Sequence, residues 1–337
     1  MKTMRLLPAA LAVLSMALPP AFAQEPASAP ADDVSQVSEL VVVAHPQGPA
    51  MWQVQRGDST MTIMGSVSPI HQQQAWDQRQ LLAALDGSRL VLLPPKADLG
   101  PLQAVALLSG NLWKVRILGD LEPRLPPDLR ARFVQARMVA QQPASRYVHW
   151  KPAAAAFLLL SDSRRIHGLS MGKPGTTVEK LAKARQIPTK PIGTVSVLSL
   201  AKLAGQLDDR ENLTCLGDVL AQAEQEHAES VRVSAEHIND DWAHGRVLEV
   251  NARYRLPPLQ RCLMLAPGAR QVIDREMTEA ADRLWSELQR PGKTVAVIDM
   301  AWLLPRDGLL DRLKAKGAVV GPPPALREGE AEAAGAP

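Results

Sequence analysis

Apolar and polar positions alternate along the chain with two periods, and the switches between them predict a chain of strands and helices. Trp52–Val54 and Thr60–Met64 flank the turn Arg56-Gly57-Asp58 and read as a β-hairpin, its second arm feeding into Gly65-Ser66-Val67-Ser68-Pro69. A helix is predicted over Asp77–Asp86, then a buried strand, Arg89–Leu93, which Pro94-Pro95 terminates. Helical stretches follow near Pro101–Leu108, Asp128–Ala140 and Pro152–Leu160. Thr176 and Glu179 have capping-box spacing, so a helix is expected to start there and lead to a short strand at Thr189–Ile192. The charged stretch Leu213–Arg255 reads as a helical insertion, an antiparallel pair packed beside the sheet.

Further on, Val272, Ile273, Met277, Ala280, Ala281, Leu284 and Leu288 keep one apolar stripe at helical spacing. Thr294–Ile298 is an all-apolar strand, and Asp307 is placed to cap a helix carrying Leu309, Leu310 and Leu313. Strand Ala318–Val320 then completes a strand–helix–strand crossover. The expected fold is α/β, a central mixed sheet flanked by helices, with the domain over residues 39–321 and the insertion over about 213–255. Residues 24–38 read as a flexible leader and 322–337 as a disordered tail, both too poor in large apolar residues to pack.

The first 23 residues have a different pattern. Lys2 and Arg5 precede the apolar run Leu6–Leu18, Pro19 and Pro20 break it, and Ala21-Phe22-Ala23 supplies small residues where a signal peptidase reads. This is a secretory signal, cut near Ala23. No later window offers the roughly 20 unbroken apolar residues that a membrane span needs. Removing Lys2 and Arg5 takes the net charge from +3 to +1. That balance argues against nucleic-acid binding, which normally shows a concentrated basic face. A periplasmic or secreted protein is expected.

Composition changes this picture little. At 46% apolar and 22% charged, the 337 residues exclude a wholly disordered or fibrous chain. The only two cysteines, Cys215 and Cys262, lie past the signal, where an oxidising compartment favours a disulfide. Neither has a second Cys or His at zinc-ligand spacing.

Several stretches resemble the TraB/GumN family, which is related to the Tiki and erythromycin-esterase-like proteins. They are Trp52, Gly57-Asp58-Ser59 and Gly65-Ser66-Val67-Ser68-Pro69 near the start, and Val295-Ala296-Val297, Asp307-Gly308-Leu309-Leu310 and Gly317 near the end. Between them, Trp242-Ala243-His244-Gly245-Arg246 is similar to a family Trp-Ala pattern, and Arg275 resembles a family Arg on the penultimate helix. The resemblance implies an α/β fold and, in members with a complete site, a metal-dependent hydrolase or protease. Such members have a Gly-x-x-His after the first hairpin, a Glu ending the next strand and a second His after the last central strand. Here those positions fall on Ser68, Leu93 and Trp302. Ser is a poor metal ligand; Leu and Trp are none. A branch with a similar Val-Ser-Pro stretch and two cysteines looks nearest, and it implies no particular activity.

The resulting expectation is a degenerate member without cofactor, binding an envelope protein, a peptide or a glycan. The alternative is a hydrolase with a rearranged site built from His71, Asp299 and Arg275 and holding manganese, cobalt or zinc. Ser68 lacks the flanking glycines of a nucleophile elbow. Trp302 either floors a ligand site or fills vacated space with apolar bulk. His227, His237 and His244, among Glu224, Glu226, Glu229 and Glu236, read as a solvated helix face. His149 in Tyr147–Pro152 reads as lining a pocket or as a structural junction.

Overall fold

The computed structural model describes residues 48–98, 112–231, 237–254 and 258–323. The signal segment, the leader, the predicted helix near Pro101–Leu108 and nearly all of the tail lie outside them.

Strands β1 (Met51–Arg56) and β2 (Ser59–Ser66) form the predicted hairpin, closed by Gly57-Asp58 with Gly57 at φ 53°. Beyond β3 (Ile70–His71), helix α1 (Arg79–Leu85) and strand β4 (Ser88–Leu93) match the expected helix and buried strand. There follow β5 (Lys96–Asp98), α2 (Pro127–Val139), α3 (Pro152–Ile166), β6 (Leu169–Ser170) and α4 (Lys173–Ala184). The middle of the chain adds β7 (Thr189–Pro191), β8 (Thr194–Ser196), α5 (Val197–Gln206) and α6 (Asp209–Val231). Helices α7 (His237–Ala243), α8 (Val247–Arg253), α9 (Pro258–Leu263) and α10 (Ala269–Leu288) then precede β9 (Gly292–Asp299). The last elements are α11 (Met300–Leu303), α12 (Leu309–Ala315) and β10 (Val319–Gly321).

Six strands make one mixed sheet in the order β10-β1-β2-β9-β4-β7. Strands β2, β9, β4 and β7 run parallel, and β1 is antiparallel to both of its neighbours. The alternation along each strand sorts the core into two faces. Met61, Ile63, Leu90, Leu92, Ala296 and Ile298 pack with α7, α8 and α10–α12. Met64, Val91, Leu93, Val295 and Val297 pack with α1 and α4. A third apolar cluster lies among the helices and their connections, with Ala156, Leu159 and Leu160 of α3 against Leu216, Val219 and Leu220 of α6. Cys215 and Cys262, Cα atoms 5.2 Å apart, join α6 to α9 inside it.

Three details differ from the sequence reading. Helix α4 starts at Lys173 with Pro174 in its first turn, a favoured place for proline. Thr176 therefore lies inside it, its hydroxyl donating to the Lys173 carbonyl at 3.0 Å, while Glu179 pairs with Lys183. Asp307 does not cap α12: it adopts φ 62°, and Gly308 is the N-cap. The stretch 213–255 is not an antiparallel pair. Its first part belongs to α6, which runs parallel to α3, Ala153 meeting Asn212 at one end and Arg164 meeting Glu226 at the other. Its second part sends Trp242, Ala243, Val247 and Val250 into the sheet's core, because the apolar stripes of the two parts serve different surfaces.

Candidate functional site

Parallel strands end on one edge of the sheet, the edge where open α/β sheets place their chemistry. Here β2 ends at Ser66, β9 at Asp299 and β4 at Leu93, with Ser66 and Asp299 in register. Chain geometry crowds this edge. A Cβ on Gly65 would lie 2.8 Å from the buried Trp52 ring, so β2 can approach only with glycine there. The Gly65 carbonyl accepts a 2.8 Å bond from the indole of Trp242, which is fully buried. The Trp-Ala motif thus anchors the helical segment to the end of β2.

Past Gly65 three segments meet at a tyrosine. The Tyr254 hydroxyl donates to Asp299 Oδ2 at 2.8 Å and accepts from the Ser68 backbone N–H at 2.9 Å. The other carboxylate oxygen, Oδ1, accepts from the Ala301 N–H at 2.9 Å, making Asp299 the N-cap of α11. Ser68 Oγ donates to the Met171 carbonyl at 2.7 Å. Burial pushes the Asp299 carboxyl up to about 6, against the opposing pull of the Ala301 and Tyr254 hydrogen bonds. Burial, then the Asp299 charge and hydrogen bond, raises Tyr254 well above the ordinary tyrosine range, with Ser68 and Arg164 opposing. Tyr254 is therefore a permanent donor, and Asp299 can exchange a proton near neutrality. Ser68 has a carbonyl, not a base, as its hydroxyl's partner, so nothing in this cluster activates it as a nucleophile.

Of the candidates named from sequence, Ser68 and Asp299 are brought together, through Tyr254. Leu93 lies 3% exposed among Leu81, Leu85, Val178 and Ala182, on the face covered by α1 and α4. Trp302 packs half-buried against the opposite core, beside Leu304. His71 stands on the ribbon of β3 and β6, its Nδ1 accepting from the Gln73 N–H at 3.3 Å and its Nε2 facing Gly168. Arg275 is solvent-exposed on α10 and pairs with Glu279 at 3.8 Å. A shallow cleft beside the cluster is lined by Asn251, Tyr254, Met300, Ala301, Leu304 and Pro305.

The sequence reading missed Tyr254 and a second polar group behind it. Arg164 and Glu226, both buried, form a bidentate pair at 2.6 and 2.9 Å, and Gln222 adds a 2.8 Å bond to the same carboxylate. Arg164 also contacts the Met171 sulfur at 3.2 Å, next to the carbonyl that holds Ser68. His227 faces His167, not open solvent: its Nδ1 lies 3.3 Å from Nε2 of His167. The expected solvated face is thus corrected at Glu226 and His227, because α3 covers it. A signal was present. The stripe Leu216, Val219, Leu220, Ala223 continues at helical spacing onto 226 and 227, so both side chains had to face the partner helix. Glu224 is exposed and pairs with Arg132. His244 pairs with Asp240 at 3.1 Å. His149 is exposed at φ 64°, and its backbone joins Ile117 and Gly119.

Among the described residues, no group of three or more His, Cys, Asp or Glu side chains is placed to share one ion, and no helix is long and apolar enough to cross a membrane. The profile of the TraB/PrgY/gumN family matches residues 50–322 of the chain. Comparisons with curated proteins and with solved structures returned no match.

Proposed function

The chain belongs to the TraB/PrgY/gumN family, and from that premise we propose that it is an exported member that has lost metal-dependent hydrolysis and acts as a binding or envelope-associated protein. The observation that carries this reading is the closure of the sheet edge. Asp299, the carboxylate at the end of β9, has one oxygen held by Tyr254 and the other by Ala301. The positions where the resemblance expects two imidazoles and a carboxylate hold a serine bonded to a carbonyl, a leucine in the apolar core and a packed tryptophan. That donor set does not suit a divalent metal, which needs lone pairs of His, Cys, Asp or Glu converging on one point. The partner is an envelope protein, a peptide or a glycan. Export is supported by the N-terminal segment and by the cysteine pair at disulfide distance.

The test is turnover. The chain is assayed against fluorogenic peptides and esters with manganese, cobalt or zinc added, beside Asp299→Asn and His71→Ala. No turnover above the blank is expected from any of the three. Metal-dependent turnover that both substitutions abolish would overturn the proposal in favour of a rearranged hydrolase. Fractionation of the tagged full-length chain tests export, and retention in the cytoplasm would refute it.

A further inference from the structure

We infer that Met171 is a site of reversible oxidation, at which a peroxide converts the thioether to a sulfoxide and so fastens the turn beside the sheet edge to α3. Met171 lies between β6 and α4, and its carbonyl accepts from Ser68 Oγ at 2.7 Å. Of the described methionines, Met138 and Met171 are the exposed ones, at 62% and 51%, whereas Met51, Met61, Met64 and Met300 are buried.

Exposure alone would make Met171 an ordinary target; its neighbour gives the oxidation a structural effect. Arg164 is buried, and its Nε and Nη2 engage the Glu226 carboxylate at 2.9 and 2.6 Å. Its remaining terminal nitrogen, Nη1, meets the Met171 sulfur at 3.2 Å. A guanidinium is a strong donor and a thioether a weak acceptor, so this contact is the worst matched of those around the charge. Oxidation puts a polar S=O group in its place. A hydrogen bond from a charged donor to that oxygen is roughly twice as strong as a neutral one. The unbranched methionine side chain has the rotatable bonds to aim the oxygen at Nη1. Half of the residue is in solvent, so the added polarity meets water, whereas a sulfoxide in a core disrupts packing.

The oxidant is a peroxide, hydrogen peroxide in the simplest case. Its O–O bond breaks, an S–O bond forms, the sulfur loses two electrons and the remaining oxygen leaves as water with both protons. A dithiol acting through a methionine sulfoxide reductase returns two electrons and two protons, and the added oxygen leaves as water. In the oxidised chain the turn is tied on one side to Arg164. On the other it is tied to Ser68, whose N–H meets Tyr254, so the mark reaches the junction at the end of β9.

The experiment treats the full-length chain with dilute hydrogen peroxide, locates added oxygen by peptide mass spectrometry and follows melting. Met138→Leu is the background, which leaves Met171 as the exposed methionine among the described residues. Oxygen is expected on Met171 while Met51, Met61, Met64 and Met300 stay unmodified, and the melting temperature should rise by about 2 °C. Reductase with dithiothreitol should restore the original curve. Met171→Gln places an amide oxygen there without oxidation; it should raise melting by a similar amount and abolish the response to peroxide. Arg164→Leu with Glu226→Leu removes the charge together with its partner, and there Met171 should still oxidise with no rise. Met171 left unmodified, or an oxidised chain that melts at or below the untreated one, would overturn the proposal. So would a rise that persists in the double variant, or a sulfoxide that the reductase does not reverse. If the double variant fails to fold, Met171→Gln decides: melting at or below the background refutes the bond to Arg164.

Discussion

Replacing Tyr254 by Phe removes one oxygen and leaves the ring in place. That oxygen joins three segments, accepting from the Ser68 N–H at 2.9 Å and donating to Asp299 at 2.8 Å. Its loss orphans a backbone donor at a part-buried position and strips one hydrogen bond from a largely buried carboxylate. An orphaned buried donor costs about 1–3 kcal/mol and a bond to a charged group contributes about 1.5–3 kcal/mol. The two losses overlap, because Asp299 can lower its own cost by taking a proton. We therefore expect Tyr254→Phe to lose about 2–3 kcal/mol in urea unfolding at pH 7.5, with an unchanged m-value. The double-mutant cycle with Asp299→Asn isolates the pair, and a coupling of at least about 1 kcal/mol is expected. A loss below about 0.5 kcal/mol, the range of an ordinary surface substitution, would refute the three-way junction.

Three further outcomes follow from the same structure. Asp299 keeps its proton to about pH 6 when folded and releases it near 3.8 in the unfolded chain. Stability from this group is therefore present at acid pH, falls as pH rises from about 4 to 6, and is level above, a span of about 3 kcal/mol. Asp299→Asn should accordingly be less destabilising at about pH 7.5 than at about pH 4.5, and equal effects at the two would contradict the raised carboxyl. Arg164→Met leaves Glu226 buried without its partner and should cost about 3–5 kcal/mol by denaturant unfolding, while Arg164→Met with Glu226→Leu should recover most of it. Reducing Cys215–Cys262 opens a loop of 47 residues' separation. Melting with and without reductant should show a loss of about 4 kcal/mol, and identical melting curves would mean the thiols are not bonded.

Much of the sheet was legible. The two-residue turn after Arg56, the all-apolar run at Thr294–Ile298 and the proline stop after Leu93 are local signals, and β2, β9 and β4 formed where they point. Helix starts were less legible where two local signals competed. Pro174 favours the first turn more strongly than the Thr176 hydroxyl does, and Asp307 took a left-handed turn conformation that removes it from the cap position. Of the candidate site, the residue types at Ser68, Leu93 and Trp302 could be judged as metal ligands from sequence, since donor chemistry is a property of each side chain. What each does instead could not be judged: Leu93 fills one face and Trp302 packs on the other, and strand pairing assigns those faces.

By itself, then, the sequence determined the alternation of elements, the apolar faces of the central strands, the family and the residue types at its site. Tertiary structure alone decided that Tyr254 meets Asp299, separated by 45 residues, and Ser68, separated by 186. It likewise brought Arg164 to Glu226 and His167 to His227, 62 and 60 residues apart. The physical reason is range. Periodicity and capping are written within a turn or two of the chain, where neighbours in sequence are neighbours in space. A buried polar group takes whichever partner packing delivers, and must find one because leaving it unpaired costs more than any local preference provides.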